Sequence, residues 1–88
     1  MERFSTRIKE LRKQHNLTQE QLGQVIDVSK YSILLYEKGK NYPDVRGLIG
    51  LADYFEVSTD YLLGRTDDKS GARNLISEDS VISQLSRR

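Results

Sequence analysis

Cysteine is absent from this 88-residue chain, proline occurs once at Pro43, and histidine once at His15. Without cysteine there is no disulfide framework, no thiolate metal site and no thiol nucleophile. A lone imidazole cannot supply a histidine-rich metal cluster. No apolar run is longer than the four residues Ile33 to Tyr36, which excludes a transmembrane helix and the core of a signal peptide. There is also no glycine-rich phosphate loop, no nucleophile–base pair and no metal-ligand spacing. The carboxylate pairs Asp67-Asp68 and Glu78-Asp79 fall in a polar stretch and read as solubilising charge. A small cytoplasmic domain is expected, not an enzyme, with no metal and no cofactor.

What is present suffices for a fold. The chain weighs 10.2 kDa, with 36% apolar and 31% charged residues. That allows one domain and at most a short appendage. The net charge of +1 hides a gradient. Residues 1–40 carry eight Lys/Arg and five Asp/Glu, whereas residues 41–64 carry Arg46 against Asp44, Asp53, Glu56 and Asp60. Such a division suits a protein with one nucleic-acid face, though charge alone favours an uneven solvated surface.

The periodicity is helical throughout, with no sustained alternation of period two. Phe4, Ile8, Leu11 and His15 are spaced four, three and four apart, one face of a first helix, and Asn16 can end it in a left-handed conformation. Thr18 and Gln21 form a capping-box pattern opening a second helix through Leu22 and Val25. Asp27 falls where the chain must turn, and aspartate visits positive φ more readily than most residues. Ser29 caps a third helix over 29–37, with Val28 and Ile33 placed as a hydrophobic staple and Gly39 as the stop. Asp44 caps a fourth helix with Leu48, Leu51, Ala52 and Phe55 on its inner face, and Ser58 caps a fifth from Thr59 to Leu63, closed by Gly64. Gly47 and Gly50 either permit close packing in the fourth helix or weaken it. The expected core is Leu22, Val25, Ile33, Tyr36, Leu48, Leu51, Phe55 and Leu62.

This is an all-α, five-helix bundle over residues 1–64, followed by a linker and tail over 65–88. Arg65 to Asn74 holds one apolar residue, Ala72, and Ser77 could cap a short amphipathic turn through Val81, Ile82 and Leu85. The second and third helices, joined by a short turn, have the form of a helix-turn-helix.

At this point a resemblance is carried by specific residues. Leu17-Thr18-Gln19-Glu20-Gln21-Leu22, Val28-Ser29-Lys30, Ile33 and Tyr36-Glu37-Lys38-Gly39-Lys40 are similar to the Cro/C1-type (xenobiotic-response-element, XRE) helix-turn-helix family. Pro43-Asp44, Leu51-Ala52-Asp53-Tyr54-Phe55 and Asp60-Tyr61-Leu62-Leu63-Gly64 continue the match over about residues 4–64. The resemblance implies a lambda-repressor-like DNA-binding domain and a dimeric transcriptional regulator, most often a repressor on a palindromic operator.

Lys30, Tyr31 and Leu35 then stand where the second helix of the motif reads base edges. Lysine suits guanine, and Tyr31 suits a thymine methyl or a phosphate. Leu34 and Leu35 depart from the polar residues usual there, so Leu35 stands either against a thymine methyl or in packing. Gln19 and Ser32, with Lys38, Lys40 and Asn41 around the following loop, are the expected phosphate contacts. Arg12 and Glu37 match a structural ion pair of the family. Asp27 stands where the family favours glycine. Dimer contacts are expected near Glu56 to Leu63 or in the tail. Competing readings are a protein-interaction module of the antitoxin or anti-repressor type, and the DNA-binding head of a longer regulator.

Overall fold

The computed structural model describes residues 2–69, and among these it contains five α-helices and no strand. They are α1 (Glu2–Gln14), α2 (Gln19–Val25), α3 (Lys30–Glu37), α4 (Val45–Phe55) and α5 (Thr59–Leu62). No helix among the described residues is long and apolar enough to cross a membrane.

Four of the helices start where a side chain satisfies an orphan backbone N–H. Thr18 Oγ1 accepts from the Gln21 N–H at 3.0 Å, and Gln21 Oε1 accepts from the Thr18 N–H at 2.9 Å, completing the capping box. Ser29 Oγ accepts from Ser32 N at 3.3 Å, Asp44 Oδ1 from Gly47 N at 2.8 Å, and Ser58 Oγ from Tyr61 N at 2.9 Å. Each such cap contributes about 1 kcal/mol. All four are legible in the sequence because capping is a local interaction.

Phe4, Ile8 and Leu11 of α1 converge with Leu22, Ile33, Tyr36, Leu51, Ala52, Phe55, Val57 and Leu62 into one buried core. Leu48 packs half-buried at its edge. Val25 does not belong to it, being 36% exposed. The inner face of α2 is Leu22, Gly23 and Ile26, and at about 100° per residue Val25 points well away from that centre. His15 lies just beyond α1, its ring 4.8 Å from that of Phe55.

Glycine decides how closely α2 meets its neighbours. A methyl group on Gly50 would stand 3.0 Å from Ile26 Cγ2, and one on Gly47 3.7 Å from Ile26 Cδ1 and 3.0 Å from Pro43 Cβ of the preceding loop. The two glycines of α4 thus make the close-packed groove that accepts the end of α2.

Residues 65–69 turn back onto the bundle. The Arg7 side chain, only 12% exposed, donates to the carbonyls of Tyr61 and Thr66 at 2.5 Å each and pairs with Asp67 at 2.6 Å. Its guanidinium carbon stands 4.0 Å from the Tyr61 ring centroid. Lys69 O accepts from Ser58 N at 2.8 Å. The expected linker therefore begins with residues bonded to α1 and α5, and Asp67 is an ion-pair partner rather than merely solubilising charge. The expected tail turn around Val81, Ile82 and Leu85 lies outside the described residues.

Candidate nucleic-acid interface

The turn between α2 and α3 is built from two local choices. Val28 N donates to Gly23 O at 2.8 Å, and Asp27 takes φ 59°, the left-handed conformation that reverses the chain. Gly23 sits so close to the turn that a Cβ there would overlap the Val28 carbonyl oxygen. Capping and periodicity do not single this glycine out. Its signal is a lone glycine inside a two-turn helix, which costs about 1 kcal/mol unless close approach demands it.

On α3, Ile33 and Tyr36 face the core, Ser32, Leu34 and Glu37 are partly covered, and Lys30, Tyr31 and Leu35 are exposed. Tyr31 is 65% exposed and Leu35 37% exposed, one turn apart on the same face. Lys30 is exposed in the first turn, its Nζ 5.4 Å from the Tyr31 ring centroid. Ser32 is half-buried, with its hydroxyl 3.5 Å from that of Ser29. The structure brings Lys30, Tyr31 and Leu35 onto one outward surface. Leu35 is thus not a core residue, while Leu34 is half-buried.

Three helices meet at Glu37, whose side chain is only 4% exposed. Arg12 Nε donates to its Oε2 at 2.6 Å and Arg12 Nη2 to its Oε1 at 3.1 Å. Arg12 Nη1 also donates to Leu17 O at 2.8 Å. A bidentate pair with this much supporting hydrogen bonding offsets the cost of burying both charges. Gln19, half-buried at the start of α2, donates from Nε2 to Glu37 Oε1 at 3.2 Å. Its amide is therefore anchored inward, and the α2 N-terminus is held against α3 through this side chain.

After α3 the chain closes with Lys40 N donating to Leu35 O at 2.9 Å and Gly39 at φ 71°. Lys38, Lys40 and Asn41 lie on this loop, beyond the C-terminal end of α3, and all three are exposed. Asn41 Oδ1 accepts from Tyr42 N at 2.9 Å.

The Tyr36 phenol beneath α3 is held above its ordinary pKa of 10.0 by burial, and secondarily by the nearby Asp44 carboxylate. Among the described residues no group of His, Asp or Glu is arranged to hold a metal ion.

Residues 8–62 match the family described as Helix-turn-helix. The chain is 43% identical over 65 residues to the uncharacterized HTH-type transcriptional regulator YobD of Bacillus subtilis (strain 168), covering 74% of this chain and 58% of YobD. It is 36% identical over 63 residues to the cryptic phage CTXphi transcriptional repressor RstR of Vibrio cholerae, covering 72% of this chain and 56% of RstR. The chain thus spans little more than half the length of these relatives. Among solved structures, the P22 c2 repressor in complex with a synthetic operator superposes with a TM-score of 0.65 at 30% identity, covering 67% of this chain and 89% of that one.

Proposed function

The chain belongs to the helix-turn-helix family, and on that footing we propose that it binds specific sequences of duplex DNA as a transcriptional regulator, a dimeric repressor on a palindromic operator. The observation that carries this reading is the outward face of α3. Lys30, Tyr31 and Leu35 are displayed together on a helix whose other face is locked into the core. In the helix-turn-helix geometry that face enters the major groove, Lys30 towards guanine O6/N7 and Tyr31 and Leu35 towards thymine.

Around it, Lys38, Lys40 and Asn41 would grip the sugar-phosphate backbone, with Ser32 and the Gln19 end of α2 against a second phosphate. Gln19 does so through its backbone N–H and whatever its side chain retains beyond the bond to Glu37. The P22 c2 repressor, of similar fold, is an operator-binding protein. A regulator of this kind acts in the cytoplasm, at the nucleoid.

A single head of this size buries too little surface for tight specific binding, which favours a dimer reading two half-sites about 34 Å apart. Dimer contacts would come from the Glu56 to Leu63 region or the tail. The test is selection from a random duplex library at about 0.15 M salt, where screening is near physiological. An enriched palindrome supports a dimeric reader. A folded protein that enriches nothing overturns the reading and directs attention to a protein partner.

A further inference from the structure

We propose that Tyr42 is a positioning residue for the phosphate-gripping loop, holding Lys40 and Asn41 in place without itself supplying the affinity. The inference rests on the DNA-binding reading above and deepens it.

Residues 38–43 leave α3 with no secondary structure of their own beyond a turn, and besides the backbone bonds from Lys38, Gly39 and Lys40 back to α3, side chains tie the loop at three points, two of them through the Tyr42 side chain. The Tyr42 hydroxyl donates to Gly39 O at 3.3 Å, closing a ring around Lys40 and Asn41. The Tyr42 aromatic ring meets Phe4 edge-on, with centroids 5.9 Å apart, and Phe4 is fully buried at the start of α1. Phe4 also meets Tyr36 of α3 at 6.3 Å, so one buried ring supports both the reading helix and the loop that follows it. The third tie is Asn41 Oδ1, which accepts from the Tyr42 backbone N–H. That bond uses the oxygen of the Asn41 amide and leaves its N–H donors, the groups a phosphate takes. Gly39 has its positive φ here and Ser5 Oγ 3.2 Å from where a Cβ would sit, so the start of the loop cannot easily relax.

A lysine on a mobile loop loses conformational freedom when it docks on a phosphate, and a loop already ordered avoids part of that cost. Tyr42 is thereby coupled to ionic contacts it does not make. A neutral hydroxyl bonded directly to a phosphate would add affinity without releasing a counterion. A residue that positions lysines changes the number of counterions released. The salt dependence separates the two roles.

The experiment compares the full chain with Tyr42→Ala, Tyr42→Phe, Lys40→Ala and the Tyr42→Ala/Lys40→Ala double variant. Binding is titrated on the selected operator and on an unrelated duplex from about 0.05 to 0.3 M salt, well below each variant's melting temperature. We expect Tyr42→Ala to weaken both duplexes alike, on the order of fivefold, with base preference unchanged. The log–log salt slope should become shallower by about one for each lysine that no longer reaches a phosphate. Tyr42→Phe, which keeps the ring against Phe4 but removes the bond to Gly39, should fall between wild type and Tyr42→Ala. On the Lys40→Ala background Tyr42→Ala should cost much less than on wild type. An additive loss with an unchanged slope, a changed base preference, or no loss at all overturns the proposal. Failure of the wild-type chain to bind any duplex would instead overturn the DNA-binding reading itself.

Discussion

Gly23 and Val28 approach so closely that any side chain at Gly23 would overlap the Val28 carbonyl oxygen, and this contact sets the distance between the two helices of the helix-turn-helix. The Val28 N–H closes the same turn onto Gly23 O at 2.8 Å. Gly23→Ala should therefore destabilise the domain by about 1–3 kcal/mol despite the better helix propensity of alanine, because backbone rather than a flexible side chain must move. Urea denaturation reads the loss. A variant as stable as wild type would show that the turn can open without cost.

Asp27 and Glu56 both hold the left-handed conformation, at φ 59° and 55°. The strain at a non-glycine residue there is about 1–2 kcal/mol, less for aspartate, which tolerates the region. Glycine also loses more entropy on folding, so the net gain is smaller. Glu56→Gly should stabilise by about 0.5–1 kcal/mol, and Asp27→Gly by less. The order of the two thermal midpoints checks the argument, and a larger gain at Asp27 would contradict it.

Arg12→Met should cost roughly 3–5 kcal/mol, because it strands the buried Glu37 carboxylate. Glu37→Gln should cost less, since the amide oxygen still accepts from Arg12 or Gln19. Replacing both partners by apolar residues should recover much of the loss. A double-mutant cycle by denaturation measures the coupling. Strictly additive losses would mean that the pair contributes no coupling.

Tyr36 should give the domain an alkaline response. Its phenol is held above the ordinary 10.0, so the native state keeps the proton longer than the unfolded chain does. Its contribution to stability is complete below pH 10.0 and is lost as pH rises from there through the native value. Tyr36→Phe should flatten this part of the stability–pH curve. Thermal melts from about pH 8 to 11, bracketing the ordinary phenol value, decide it, with tyrosinate absorbance as a second readout. Equal alkaline slopes in both proteins would assign the loss elsewhere.

Arg7 should govern access to the chain after α5. Arg65 and Lys69 are trypsin sites, and the segment between them is bonded to Arg7 through Thr66 and Asp67. Arg7→Met should speed cleavage after Arg65, because proteolysis follows local opening. Asp67→Asn should have a smaller effect, since its side chain is solvated and the carbonyl bonds remain. Unchanged cleavage in Arg7→Met would show that the segment is held by something other than these bonds.

Much of the helix-turn-helix is written in short-range chemistry. A capping hydroxyl or carboxylate acts on an N–H three residues away, so Thr18, Ser29, Asp44 and Ser58 announce their helices whatever surrounds them. Asn16 and Asp27 mark turns by the same logic, through their own tolerance of positive φ. Glu56 gives no such notice. Its backbone is bent to bring Val57 into the core, a demand that comes from the far side of the bundle.

The sequence by itself determined the helix order and the turns at Asn16 and Asp27, because those follow from capping, periodicity and a few residue-specific backbone preferences. Tertiary structure alone decided that Val25 points to solvent while Ile26 fills the groove of Gly47 and Gly50. It also turned the Gln19 amide onto Glu37, tied the loop of Lys40 to Phe4 through Tyr42, and bound residues 65–69 to Arg7. Those relations join residues far apart in the chain through packing distance and hydrogen-bond direction, and neither quantity leaves a fixed spacing to be read.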